Sequence, residues 1–93
     1  MTAKPESLQE ERHDLLEEMN PDILVADGLE GALIGYGGQF NQIVAVYSVQ
    51  KVLAIYEKDG MSHDEAREHF DFNVAGSWVG DGTPIFVELF DEA

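Results

Sequence analysis

Residues 31–56 carry one formal charge, Lys51, and no acid at all. The flanks are the opposite: nine acids lie in residues 1–30, six in 57–72 and four in 73–93. This pattern leaves little choice of interior. A carboxylate buried without a partner is strongly disfavoured, so the acid-free middle must form the core and the acidic ends must dress it. With 93 residues and a hydrophobic fraction of 44% there is material for one packed domain and not two. Within it, residues 1–21 read as an acidic N-terminal helix and residues 22–93 as an α+β core.

The local signals agree with that division. Ser7-Leu8-Gln9-Glu10 has the form of a capping box. A helix over residues 8–19 follows, with Leu8, Leu15, Leu16 and Met19 as a thin apolar stripe, and Asn20-Pro21 ends it. So narrow a stripe suits a helix that docks loosely, or only against a partner. Ile23-Leu24-Val25-Ala26 reads as a short strand or an extended lead-in. Residues 32–36 and 42–47 read as strands, because Ile43, Val44, Val46 and Tyr47 are β-branched or aromatic. The intervening Gly37-Gly38-Gln39-Phe40-Asn41 is turn chemistry, with glycine supplying a positive φ or a bulge. An antiparallel hairpin results.

Ser48 is placed as the N-cap of a second helix, whose Val49, Val52, Leu53 and Tyr56 recur at i, i+3, i+4 and i+7. Gly60 is placed to end it in the left-handed conformation. Ser62-His63-Asp64-Glu65 is another capping box, and Ala66, Phe70 and Val74 line one side of a third helix. The pattern leaves open whether that helix continues over residues 72–78. Gly80-Asp81-Gly82 is a turn, and residues 85–90 alternate as a last strand with Ile85, Val87 and Leu89 on one face. The predicted architecture is α+β: a small antiparallel sheet, hairpin plus C-terminal strand, packed against two or three helices.

Composition excludes several functions. Nineteen acids against five bases give a net charge of −14, which repels nucleic acid and anionic membrane surfaces. The absence of cysteine removes disulfides, thiolate metal sites and thiol nucleophiles. No apolar signal region leads the chain, and the glycine-broken segment over residues 31–50 is no membrane span; a cytoplasmic protein is expected.

The remaining constellations point away from catalysis. His63 and His69 do not share a helical face, and the Glu65/His69 pair is at most half a metal site. Gly35-Tyr36-Gly37-Gly38 lacks the Gly-Lys-Ser/Thr of a phosphate loop. Gly76-Ser77-Trp78-Val79-Gly80 lacks the spacing of a nucleophile elbow. The acids stand on solvated faces, whereas acid/base chemistry needs carboxylates in contrasting environments. Asp27 and Glu30, beside loop glycines, are the outliers, with turn residues as the plainer reading, and Asp59 and Asp81 likewise. Asn73, among Phe70, Phe72 and Trp78, reads as a buried structural amide or as part of a recognition group with Tyr36 and Trp78. No enzyme, metal or cofactor is expected.

One longer pattern joins these pieces. Asp27-Gly28 with Ala32, Ile34 and Gly35 is followed by Val46-Tyr47 and Met61-Ser62-x-x-Glu65-Ala66. Phe70-x-Phe72-Asn73, Gly76, Trp78-Val79-Gly80 and Thr83-Pro84-Ile85-Phe86 complete it. Over residues 23–88 this resembles a group of small accessory proteins carried by bacteriophages and prophages. The acidic helix lies outside the resemblance. What the resemblance implies is context, a viral accessory protein made in a bacterial cytoplasm, and it carries over no functional residue.

The leading expectation is therefore an acidic accessory protein that binds a basic surface of a host protein. A nucleic-acid-binding or defence protein fits as target, and the acidic protein acts as an inhibitor or nucleic-acid mimic. Glu10, Asp14, Glu17, Glu18, Asp27 and Glu30 are the candidate contacts. The alternative is a small-molecule or nucleotide-sequestering module built on Tyr36, Asn73 and Trp78. A homodimer through an open sheet edge is a third arrangement.

Overall fold

The computed structural model describes residues 5–39, 42–74 and 82–90. Its elements run α1 (Pro5–Met19), β1 (Leu33–Gln39), β2 (Gln42–Ser48), α2 (Val49–Lys58), α3 (His63–Asn73) and β3 (Ile85–Val87). A 3-10 turn, Glu30–Ala32, leads into β1. The class is α+β, as the pattern predicts. No described helix is long and apolar enough to cross a membrane.

The sheet order is β1-β2-β3, with β2 in the middle. β1 and β2 form the predicted antiparallel hairpin, but β3 runs parallel to β2, so the sheet is mixed and not wholly antiparallel. A parallel neighbour needs a long crossover, and the stretch carrying α2 and α3 provides it. Pairing places Tyr47 beside Phe86 and Val46 beside Ile85. Phe86 is thus the residue that β3 gives to the core: its ring stacks on Tyr47 at 5.3 Å and meets Phe70 of α3 edge-on at 5.6 Å. Ile85 and Val87 stand on the other face. β3 also stops at Val87, three residues short of the expected strand. Beyond it the chain is held differently: Glu88 pairs with Arg67 at 2.7 Å, and the Gln50 amide donates to the Leu89 carbonyl at 3.2 Å.

The core lies between this face of the sheet and the helices. Val49, Val52, Leu53, Ala66 and Phe70 are buried against Ala32, Leu33, Ala45 and Tyr47. Each fully buried Val, Leu or Phe stabilises the fold by roughly 1.5–3 kcal/mol. The stripe predicted for α2 is the stripe observed. Its start is also as expected, since the Ser48 hydroxyl accepts from the Lys51 N–H at 3.2 Å. At its end Gly60 adopts φ +111°, its N–H reaches the Glu57 carbonyl at 3.0 Å, and the Met61 N–H reaches Tyr56 at 3.2 Å. That is the paired 6→1 and 5→2 bonding of a Schellman end. The second capping box is complete: the Glu65 N–H donates to the Ser62 hydroxyl at 3.1 Å, and the Ser62 N–H donates to the Glu65 carboxylate at 2.8 Å. The Ser62 N–H, and then the Ser62 hydroxyl, hold the Glu65 carboxyl below its ordinary pKa.

Other expectations need correction. α1 begins at Pro5, so Ser7 lies inside the helix and is not its cap. Proline suits a first helical position, where its fixed φ is already helical and no N–H is required. α1 does dock. Leu16 is buried, Met19 packs against the core, and the Asn20 amide donates to the Ile43 carbonyl at 2.9 Å. Residues 23–26, read as a strand or an extended lead-in, form no strand. They are half-buried, and the Ala26 N–H donates to the Tyr47 hydroxyl at 2.8 Å. Gly37, Gly38 and Gln39 are strand and not turn, paired with Val44, Ile43 and Gln42. Residues 40 and 41 lie outside the described residues. The strong β former opposite, Ile43-Val44, draws the glycines into the ladder. A bulge does occur, one step earlier, between Leu33 and Gly35. α3 ends at Asn73, and residues 75–81 are outside the description.

Candidate functional site, an apolar groove with an acidic rim

α1 carries adjacent leucines, and a helix cannot turn both to one side, because neighbours stand about 100° apart. Leu16 takes the core, with 3% exposure, and Leu15 is left 48% exposed. On β1, Ile34 and Tyr36 are likewise exposed, at 37% and 52%. These three side chains meet in a groove between α1 and β1, floored by Leu16, Leu33 and Gly35. Its volume is about 180 Å³ and its lining is mainly apolar. Half of the exposed large hydrophobic side chains among the described residues therefore gather in one place. Scattered exposed leucines need no explanation, whereas a gathered set rimmed by charge does.

Arg12 closes one side of the groove, and its guanidinium donates to the Leu33 carbonyl at 3.1 Å. Beyond Leu15, outside the groove lining, the surface of α1 is acidic. Glu11 and Glu18 are the i−4 and i+3 neighbours of Leu15 and so flank it on the helix surface. Glu11, Asp14, Glu17, Glu18 and Leu15 together border a shallow depression that adjoins the groove, with Leu15 lining both. All four acids are exposed. Of the acids singled out from sequence, Glu18 stands beside Leu15, and Asp14 and Glu17 line the same depression further round the helix. Glu10 stands one turn before Asp14 on the helix backbone. Glu11, Leu15 and Ile34 were not among the predicted site residues. The doubled leucine is the signal that marks Leu15, since one of the two must leave the core stripe.

Asp27 and Glu30 are elsewhere. The Glu30 carboxylate accepts from the Gly28 N–H at 2.8 Å, closing a turn in which Gly28 has φ +84°, and Asp27 is exposed on that turn. They are turn residues. Their charges still act on Tyr47: burial raises its hydroxyl pKa, the Ala26 N–H opposes that, and the nearby Glu30 and Asp27 charges add to it.

The two described members of the second predicted group, Tyr36 and Asn73, do not share a depression. Tyr36 lines the α1/β1 groove, while Asn73 lines separate depressions next to α3. Trp78 lies outside the described residues, as do Ser77 and Asp81. Asn73 is exposed and not the buried amide expected; its amide donates to the His69 carbonyl at 3.1 Å, as suits a residue at a helix end. The Glu65/His69 pair is divided too. Glu65 is engaged in its capping box, and His69 stands edge-on to the Tyr56 ring at 4.8 Å. His63 pairs with Glu57 at 3.0 Å. Among the described residues, no group of three potential ligands is placed to hold a metal.

Comparison with protein-family models, with curated proteins and with solved structures gave no match.

Proposed function

We propose that the chain is a binding protein that engages a basic surface of another protein through the α1/β1 groove. The observation that carries this is the position of Leu15, which lines both the apolar groove and the acidic face of α1. An apolar centre with a charged rim is the anatomy of a protein interface. The centre gives affinity, and the rim gives orientation and a fast, salt-sensitive encounter. The net charge of −14 makes a basic partner the complementary one. The resemblance of residues 23–88 to phage and prophage accessory proteins supports a bacterial host protein as that partner, met in the cytoplasm. A nucleic-acid-binding or defence protein presents such a surface, and covering it inhibits the protein by standing in for phosphate.

The test is capture from bacterial lysate by the full chain and by two variants, Leu15→Ser and Glu11→Lys/Glu18→Lys. One host protein should be retained at 50 mM salt, weakened steeply by 500 mM, and lost with both variants. A partner held equally by the charge-reversed variant at 500 mM salt contradicts the proposal.

A further inference from the structure

β1 is an edge strand. It pairs with β2 on one side, and among the described residues no strand pairs with the other. Alternate N–H and C=O groups of an edge strand point outward and form a template for a further strand. The Leu33 carbonyl is already taken by Arg12. The groove is lined by residues 33–36 of this strand and by Arg12, Leu15 and Leu16 of α1. A groove between an edge strand and a helix is the setting in which extended peptides add to a sheet, with main-chain bonds to the strand and alternate side chains in the groove.

The glycines of β1 are a second, independent observation. Gly35, Gly37 and Gly38 weaken a strand, by entropy and by lack of side-chain packing. None has a positive φ. A Cβ built on Gly35 or Gly38 would meet nothing within 4 Å, and one on Gly37 would meet only Val46 at an ordinary 3.7 Å. Neither backbone conformation nor crowding within the described chain requires glycine there. Glycine in a strand also marks a place where another backbone approaches closely. Bare backbone leaves room on either face for the long stems of lysine and arginine from an added strand.

We infer that β1 and α1 receive an extended basic segment of a partner protein by strand addition. Its main chain pairs with the outer edge of β1, and its alternate side chains reach Leu15, Ile34 and Tyr36. Charge selects this occupant over a second copy of the chain, since two chains of −14 would bring their acidic α1 faces together. The inference rests on the binding role proposed above and specifies its mode.

The probe is a fluorescein-labelled nonapeptide of alternating lysine and valine, titrated into the full chain at 20 mM and 300 mM salt with anisotropy readout. Two further versions carry N-methyl groups on either alternate set of residues, which strips the N–H groups from one edge. A helix-forming peptide of equal charge is the control. Strand addition predicts binding of the nonapeptide at 20 mM salt, at least tenfold weaker binding for one methylated set, and less than threefold for the other. Ile34→Lys should weaken the parent peptide at least tenfold, with circular dichroism verifying the fold. If both methylated sets and the helical control bind as well as the parent, strand addition is overturned while a basic partner still stands. If no basic peptide binds at 20 mM salt, both fall. A concentration-dependent dimer that excludes the peptide would replace this occupant with a second copy.

Discussion

The half of the molecule built from β2, α2 and α3 and the half built from α1 and β1 obey different rules. In the first, the caps and the buried stripes agree with the fold, and Phe72 of α3 is the exposed exception. Val44, Ala45 and Tyr47 are buried on a strand of good β formers, Ser48 caps α2, Gly60 ends it, and Ser62 with Glu65 starts α3. In the second, choices conflict. Glycines occupy a strand they weaken, a bulge interrupts its register, and leucine, isoleucine and tyrosine are left in solvent. Consistency across levels specifies structure, and places where it fails are where function is expected. The contrast is what the proposed function builds on: the β2–α2–α3 half is locally consistent, and the proposed recognition surface lies in the α1/β1 half.

Substitutions should separate the halves. The largest effect on stability belongs to the first: Leu53→Ala or Phe70→Ala should cost about 3–4 kcal/mol in urea unfolding, with the cavity adding to the transfer loss. Leu16→Ala, where α1 touches the core, should cost about 2–3 kcal/mol. Its neighbour Leu15→Ala should cost less than about 0.5 kcal/mol, as exposed positions do. Equal losses at Leu15 and Leu16 would break the comparison.

Tyr47→Phe should cost about 1–2 kcal/mol, since it orphans the Ala26 N–H. Its pH signature is sharper. The native Tyr47 pKa is raised by burial, so its contribution is fully present below pH 10 and is lost as pH rises through the native value. Wild-type stability should fall through that window, and Tyr47→Phe should flatten the fall. At the small end, Gly38→Ala should add about 0.4–1 kcal/mol, because nothing native needs glycine there. A clear loss instead would mean the glycine is structural. Smallest of all, the melting temperature of the free chain should rise by a few degrees from 10 to 300 mM salt as self-repulsion is screened. A flat response would mean local pairing already neutralises the acids.

The same division explains what could be read from sequence. The caps and stripe of α2 and α3 were legible because each is fixed within a single turn of helix, as at Ser48, Gly60 and Ser62. The direction of β3 was not, because parallel or antiparallel pairing depends on the crossover path and not on the alternation of Ile85, Phe86 and Val87. Gly37 and Gly38 were misassigned to a turn because their place in the ladder is set by Val44 and Ile43 across the hairpin, a non-local pairing. The acidic face of α1 was visible, with Asp14, Glu17 and Glu18 in the sequence. The groove beside it was not, since Leu15, Ile34 and Tyr36 converge only when α1 lies on β1. Asn73 was misjudged because its neighbour Phe72 is exposed to solvent, while Phe70 turns into the core against Phe86.

The measurement that tests the central claim most directly is a paired one on Leu15→Ser/Ile34→Ser: thermal melting of the free chain, and capture of the basic partner at 50 mM salt. A recognition groove predicts a melting temperature within a few degrees of wild type, for a stability change near 1 kcal/mol or less, and loss of capture. A melting temperature lowered as far as is expected for Leu16→Ala, with capture by the remaining folded protein intact, would contradict it.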